Sequence, residues 1–182
     1  MAKVLVTGMS GTGKSTVLRL LGERGHRAVD TDDDAWSRWI VLPGGSRGWV
    51  WREDAIARLL AHHRVGHLFV GGCTSNQGRF YARFDHIALL SAPADVMLAR
   101  VMARTDNPYG KDPAERAQIL RNLGEVRPLL RASATLEIDA SASLAHVLRE
   151  LEDLAARGPV YGAPPTPSRS RNLSSTLRHI RV

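Results

Sequence analysis

The sequence predicts a three-layer α/β fold, in which a central parallel sheet of about five strands lies between layers of helices, with a helical cap and a mobile lid at one edge. Short apolar runs typical of buried strands alternate with longer segments whose apolar residues recur at helical spacing. A glycine-rich turn also joins the first strand directly to the first helix. Sheets of this kind bind ligands beyond the carboxyl ends of their strands, so we expect the functional residues there.

The individual elements are predicted in chain order. Strands are predicted over residues 3–7, 26–30, 67–71, 86–90 and 135–139. Helices are predicted over residues 16–23, 53–63, 93–104, 114–130 and 142–157, with a further helical piece over residues 35–41 in the cap. Residues 105–113 are polar and contain helix breakers, which predicts the lid.

The composition is typical of a single soluble domain, which we place at residues 1–157. The chain has 182 residues, of which 43% are hydrophobic and 24% charged. Its one cysteine, Cys73, excludes an internal disulfide and fits a reducing compartment. The first predicted strand begins close to Met1 and no apolar run reaches membrane-spanning length, so we expect neither a signal peptide nor a membrane partner. These features indicate a cytoplasmic protein, with a monomer favoured.

Residues 158–182 differ in composition from the rest of the chain. They contain several prolines and serines and four arginines but no acid, which predicts a disordered basic tail. The tail carries more than half of the net charge of +7, so the domain itself is only mildly basic. Because the arginines are scattered rather than clustered, a solvated tail is favoured over a nucleic-acid-binding arm.

One glycine-rich stretch, residues 8–15, fits the P-loop pattern of a glycine, four residues and then Gly-Lys-Ser. It lies between a predicted strand and a predicted helix, as the motif requires. Its glycines let backbone N–H groups point at phosphate oxygens, and the helix N-terminus adds partial positive charge. Lys14 can reach the β- and γ-phosphates, and the Ser15 hydroxyl can bind Mg²⁺. We therefore predict a nucleoside triphosphate site formed by Gly8, Ser10, Gly11, Thr12, Gly13, Lys14, Ser15 and Thr16.

Three further short motifs follow the P-loop, and all lie at predicted strand or helix ends. They are Asp30-Thr31-Asp32, Trp51-Arg52-Glu53 and Gly71-Gly72-Cys73. Together with the P-loop, their order resembles the shikimate kinase branch of the nucleoside-monophosphate-kinase-like P-loop family, over roughly residues 3–157. The resemblance implies a phosphotransferase that uses ATP and Mg²⁺ on a small-molecule acceptor. The sequence departs from that branch at Cys73, in its four tryptophans and in the lid, which leaves the identity of the acceptor open.

The resemblance also implies roles for individual residues. Asp30 would hold Mg²⁺ with Ser15, and Asp32 would contact the acceptor hydroxyl. Asp32, Arg52, Gly71 and Gly72 match the family's acceptor-binding motifs, although Arg52 could equally be a surface arginine at a helix start. Apart from the resemblance, Arg79 follows the Gly71 loop and could face either an anionic acceptor or solvent. The lid needs cations that neutralise the transferring phosphoryl group, and Arg104 and Lys111 are placed for it. Lys14, Asp32 and Arg104 are thus the candidate catalytic residues.

Alternatives remain at several of these positions. Asp33 and Asp34 are expected to be structural, with one of them at the N-cap of the helical piece that follows, rather than to bind ligands. The four tryptophans could line an acceptor pocket or form a small core under the cap. The function most consistent with the sequence is an ATP-dependent small-molecule kinase. The alternatives are a nucleoside or nucleotide kinase of adenylate kinase type and a nucleotide-binding regulator that hydrolyses slowly.

Overall fold

A computed structural model describes residues 1–42, 44–45, 47–105 and 108–158. The predicted disordered tail therefore lies, apart from Gly158, outside the described residues. Four further positions are also outside them, at 43 and 46 in the cap and at 106 and 107 in the predicted lid.

The predicted parallel sheet of five strands is confirmed. In its spatial order it consists of β2 (Arg27–Asp30), β5 (Leu68–Gly71), β1 (Lys3–Thr7), β6 (His86–Ser91) and β7 (Leu136–Asp139), and every neighbouring pair is parallel. Because β1 is central, the P-loop that follows it emerges at the middle of the carboxyl edge. All five strands begin and end within one residue of their predicted bounds.

Helices cover both faces of this sheet. They are α1 (Lys14–Glu23), α2 (Glu53–His62), α3 (Ala94–Ala103), α4 (Pro113–Ser133) and α5 (Leu144–Ala156), with a 3₁₀ helix at Gln77–Arg83. Alternate residues of β1 point to different cores, since Val4 and Val6 pack with α1 and α5 while Leu5 packs with α2. The 3₁₀ helix was not predicted, because the small polar residues before it are typical of a loop.

The helical piece predicted over residues 35–41 is wrong. Residues Ser37–Val41 form β3, which pairs in antiparallel register with β4 (Arg47–Trp51). Aromatic and β-branched residues fill both segments, and such residues favour strands. Trp39 and Trp49 lie opposite each other, with ring centroids 5.2 Å apart, and this cross-strand pair stabilises the hairpin. The cap therefore combines a β-hairpin with helix α2.

The tryptophans of the cap have different surroundings, and not all of them lie in the core or the pocket that the sequence left open. Trp51 is 1% exposed, packs edge-on against Phe80, and donates its indole N–H to Thr31 Oγ1 at 2.7 Å. Trp36 packs against the same core. By contrast, Trp39 is 37% exposed on the hairpin, where the guanidinium of Arg47 lies over its ring. Two of the tryptophans thus form a core under the cap, and one lies largely on its surface.

The segment between α3 and α4 is anchored in its second half. Tyr109 is buried, and Gly110 packs so closely that a Cβ built on it would lie 2.1 Å from Val101 Cγ1. The Lys111 ammonium donates to the carbonyls of Met102 and Arg104. The mobility predicted for residues 105–113 remains a prediction, and a movement that displaced Tyr109 would have to expose its buried side chain, which costs stability.

Gly110→Ala should lower the free energy of unfolding by about 1–3 kcal/mol more than Gly25→Ala, because the added methyl group overpacks the buried Val101. Gly25 is the matched control, since its φ of +89° is close to the +91° of Gly110 and a Cβ built on it would meet nothing within 4 Å. Chemical denaturation of both variants measures the difference. Equal losses would show that backbone strain alone, and not packing, requires glycine at position 110.

Candidate active site

The P-loop connects β1 to α1 and lies in close contact with the elements beside it. A Cβ on Gly8 would lie 2.5 Å from the carbonyl oxygen of Leu90, at the end of β6. A Cβ on Gly11, whose φ is +84°, would lie 2.5 Å from the carbonyl oxygen of Met97 in α3. Both obstacles are backbone atoms that cannot turn away, so these positions require glycine and hold the loop in one curvature.

Lys14 is the first residue of α1, and its side chain is almost completely buried. Its ammonium group donates to the carbonyl oxygens of Gly8 at 2.8 Å and of Met9 at 3.3 Å. The positive charge is therefore held across the concave side of the loop. A phosphate oxygen placed there would accept a stronger, charge-assisted hydrogen bond than either neutral carbonyl.

A cleft of about 400 Å³ opens at the P-loop. Its lining brings the loop together with two other predicted site residues, Asp32 from the turn after β2 and Arg104 from the end of α3. Five lining residues were not predicted, and they are Val17, Arg100, Ala140, Leu144 and Val147. Leu144 and Val147 belong to the apolar stripe of α5, which the sequence assigns to the core. Leu144 is nevertheless 48% exposed, so its side chain is accessible from the cleft and does not lie in the core.

Asp32 is the carboxylate of this cleft. Its side chain opens to solvent, but the surrounding walls remove much of its hydration, and this desolvation raises its pKa to about 6. The nearby charge of Asp30 also raises this pKa, whereas the positive charges of Lys14 and Arg104 lower it. At neutral pH the group is therefore mostly ionised, but it is a stronger base than an ordinary aspartate.

The other acidic residues of this turn have different surroundings. Asp30 is half-buried at the end of β2, does not line the cleft, and accepts a hydrogen bond from the backbone N–H of Asp32 at 3.2 Å. Asp33 accepts from the N–H groups of Ala35 and Trp36, so its role is local and structural, but it closes a turn before β3 and does not cap the predicted helix. The carbonyl oxygen of Asp34 accepts from Arg52.

The oxygen atoms in the cleft are suited to Mg²⁺. Ser15 is exposed and lines the same cleft as Asp32, and Mg²⁺ prefers oxygen ligands such as hydroxyls and carboxylates, usually together with phosphate and water oxygens. Within the described part of the chain, no group of three or more His, Cys, Asp or Glu residues could hold a metal ion by itself. A magnesium ion at Ser15 would therefore depend on a bound phosphate for part of its coordination.

The two predicted lid cations lie in different places. Arg104 is half-buried and donates to the carbonyl oxygen of Tyr109 at 2.8 Å and to Ser10 Oγ at 3.4 Å, which places its guanidinium against the P-loop. Lys111 is exposed, and its ammonium donates to carbonyls at the end of α3 rather than lining the cleft. The structure thus brings Arg104, but not Lys111, to the P-loop.

The predicted acceptor residues Arg52 and Arg79 line a second cavity, of about 720 Å³, between the hairpin and α2. Gly71 and Gly72 line neither cavity. Both are buried, and added Cβ atoms would lie 2.2 Å from Leu18 Cδ1 and 2.4 Å from Thr31 Oγ1, respectively. Packing therefore explains these two glycines, and contact with an acceptor stays a prediction for them.

Known proteins share this architecture. A profile of the protein family described as "AAA domain" matches residues 4–121. No curated protein matches the sequence. Shikimate kinase from Acinetobacter baumannii in complex with shikimate is 19% identical, with a TM-score of 0.61 over 85% of this chain and 92% of that chain. TT1252 from Thermus thermophilus is 20% identical, with a TM-score of 0.54 over 85% of this chain and 96% of that chain.

A further solved structure agrees with these two. Shikimate kinase from Bacteroides thetaiotaomicron is 14% identical, with a TM-score of 0.54 over 84% of this chain and 97% of that chain. At such identities the likeness shows the fold, and it confirms the P-loop kinase fold that the motifs indicate. In addition, no helix within the described ranges combines the length and the apolar character needed to cross a bilayer.

Asp32→Asn should raise the melting temperature at pH 8, and the gain should shrink by pH 5. The folded-state pKa of about 6 lies above the ordinary aspartate value of 3.8, so the ionised carboxylate costs stability at high pH and that cost disappears as it is protonated. Thermal unfolding at both pH values measures the effect. Asp34→Asn, on the same exposed turn, controls for the loss of one negative charge. A gain at pH 5 equal to that at pH 8 would contradict the proposed desolvation.

Proposed function

This chain belongs to the AAA domain family, and we propose that it is a cytoplasmic kinase that uses ATP and Mg²⁺ to phosphorylate a hydroxyl or phosphate group of a small molecule. One observation carries the proposal. Lys14, Asp32 and Arg104, which come from three separate elements, line the same cleft. Phosphoryl transfer needs little covalent chemistry from a protein, but it needs a phosphate cradle, positive charge and an oriented acceptor, and these residues can supply all three.

The P-loop would hold the phosphates of ATP. Its backbone N–H groups and the N-terminus of α1 favour negative charge, and Lys14 would exchange its two carbonyl acceptors for phosphate oxygens. Ser10, Gly11, Thr12, Gly13 and Thr16 line the remainder of the cradle. Leu144 and Val147 add an apolar wall beside Arg100, which suits the face of a nucleotide base.

Ser15 and Asp30 are the proposed protein ligands of Mg²⁺. A bound magnesium ion neutralises phosphate charge and fixes the orientation of the phosphate chain. Asp30 lies outside the cleft lining, while Asp32 lies inside it, so the carboxylate of Asp30 would act from the edge of the site. Lys111 is proposed as a further cation toward the nucleotide, carried by the segment that follows α3.

Asp32 would orient the acceptor and take its proton. A carboxylate with a pKa of about 6 is mostly ionised at neutral pH and accepts a proton more readily than an ordinary aspartate. Arg104, held between Ser10 and Tyr109, would face the negative charge that develops on the transferring phosphoryl group. Arg52, Arg79, Gly71 and Gly72 complete the proposed acceptor site.

Lys14→Met should abolish acceptor-dependent ATP turnover and weaken nucleotide binding, because it removes the buried ammonium while keeping an apolar stem of similar length. Lys3→Met is the control, since Lys3 carries the same charge at the start of β1 and lines neither cavity. Calorimetry with an ATP analogue and a coupled turnover assay report the two effects. Wild-type affinity and turnover in Lys14→Met would reject the phosphate role.

Asp32→Asn should lower kcat by about 10²–10⁴-fold while ATP affinity is kept, because an amide cannot take the proton of the acceptor. Asp30→Asn should instead raise the Mg²⁺ concentration needed for the half-maximal rate. Both effects are measured with the true acceptor, which is identified by screening metabolite pools for products that are phosphorylated in the presence of ATP. Full turnover in Asp32→Asn, or an unchanged Mg²⁺ requirement in Asp30→Asn, would show that the two roles are wrongly assigned.

A further inference from the structure

The cavity of about 720 Å³ is formed by the β3–β4 hairpin, the start of α2 and the loop before the 3₁₀ helix. We call it the hairpin cavity. Its volume lies within the range of roughly 300–1,000 Å³ that is typical of small-molecule sites. It shares no lining residue with the P-loop cleft. Its residues are Ala35, Arg38, Ile40, Leu42, Val50, Trp51, Arg52, Glu53, Asp54, Ala55, Arg58, Ser75, Asn76 and Arg79.

One wall of the hairpin cavity is apolar. Ile40 and Val50 lie on the same face of the hairpin as Arg38, because alternate residues of a strand point to the same side. Gly48 faces this side without a side chain, and Leu42 lies over it, so that an added Cβ would be 2.8 Å from Leu42 Cδ1. Leu42 thereby extends the apolar wall that Ile40 and Val50 begin.

The lining of the hairpin cavity carries an excess of positive charge. Four arginines, Arg38 on the hairpin and Arg52, Arg58 and Arg79 on the elements that follow it, line the cavity together with two acids, Glu53 and Asp54. Arg79 forms an ion pair with Glu53 at 2.7 Å, and Arg52 donates to the carbonyl oxygen of Asp34. Within the described ranges, the guanidinium groups of Arg38 and Arg58 form no hydrogen bond or ion pair. Arg38 and Arg58 are thus available to an anionic ligand, next to an apolar surface that favours contact with a hydrocarbon group.

We propose that the hairpin cavity binds a small organic anion, with its carboxylate or phosphate group on Arg38 and Arg58 and its apolar body on Ile40, Leu42 and Val50. A guanidinium binds two oxygen atoms of a carboxylate or phosphate with paired hydrogen bonds, so two guanidinium groups would fix such an anion firmly. The basic tail is a poor occupant, because its four arginines have the same sign of charge as the cavity.

This anion is the phosphoryl acceptor, an assignment that rests on the proposed function. The turn after β2 borders both cavities, since Asp32 lines the P-loop cleft and Ala35 lines the hairpin cavity. Asp33 caps this turn through the N–H of Ala35, so the two positions are fixed relative to each other. An acceptor anchored at Arg38 and Arg58 would extend past the turn and present its reacting group to Asp32.

Binding can be tested without nucleotide, using benzoate and phenyl phosphate as probes and benzyl alcohol as the uncharged control. All four tryptophans belong to the cap and Trp51 lines the cavity, so tryptophan fluorescence reports on this region, with calorimetry as the second readout. Both anions should bind saturably and benzyl alcohol should not. R38Q/R58Q should raise the Kd of both anions about tenfold or more, because it removes two charge-assisted contacts.

Three further variants make the result specific. R149Q removes an exposed arginine of α5 that lines neither cavity, and it should leave the Kd unchanged. I40E places a carboxylate on the apolar wall and should weaken both anions without removing an arginine. Lys14→Met should bind them as wild type does.

Several results would overturn the inference. The first is the absence of saturable binding by either method, and the second is an unchanged Kd in R38Q/R58Q. The third is loss of phenyl phosphate binding in Lys14→Met together with its retention in R38Q/R58Q, because that result would place the anion at the P-loop. Because these measurements need no nucleotide, they are separate from the proposed function. Arginine-dependent binding by a protein that transfers no phosphoryl group would keep the anion site and reject both the proposed function and the acceptor assignment. Phosphoryl transfer to an acceptor whose KM is unchanged in R38Q/R58Q would keep the proposed function and reject the acceptor assignment.

Discussion

The buried ammonium of Lys14 is the charge on which the candidate active site depends. It lies inside the curve of the P-loop, where the carbonyl oxygens of Gly8 and Met9 compensate its lost hydration. The same charge holds down the pKa of Asp32 against the opposing effect of desolvation. This position exists only because Gly8 and Gly11 let the loop pass close to the backbone of β6 and α3. The requirement for glycine at these two positions thus determines where the positive charge of Lys14 lies in the cleft.

Thr31 plays a comparable part for the cap. Its hydroxyl donates to the carbonyl oxygen of Gly71 at 2.6 Å and accepts the indole N–H of Trp51, while its own carbonyl accepts from Ser37. One buried side chain therefore joins the sheet, the hairpin and the turn that carries the carboxylates. Because Thr31 lies between Asp30 and Asp32 in the chain, the position of the cap and the position of those carboxylates are set together.

The sequence predicted the elements whose pattern is local. The P-loop, the strands of the sheet and the long helices follow from periodicity and from glycine spacing, and the placement of Asp32 near the P-loop follows from parallel topology. Arg104 was expected at the site because it immediately precedes the predicted lid. The hairpin was missed because Ser37–Val41 is short, and its strand character depends on the pairing of Trp39 with Trp49. The burial of Gly71 and Gly72 could not be predicted either, since it depends on Leu18 and Thr31, which are distant in sequence.

The anchoring of Tyr109 and Gly110 limits how far the site can be sealed. Only residues 105–108 lie between Arg104 and that anchor, and a fully extended chain of this length spans about 14 Å. A segment this short can reposition a guanidinium, but it cannot enclose an acceptor that extends toward the hairpin. Under the proposed function, water would then compete with the acceptor for the phosphoryl group. Fidelity in such a protein would come from the poor orientation of water at Asp32 rather than from its exclusion.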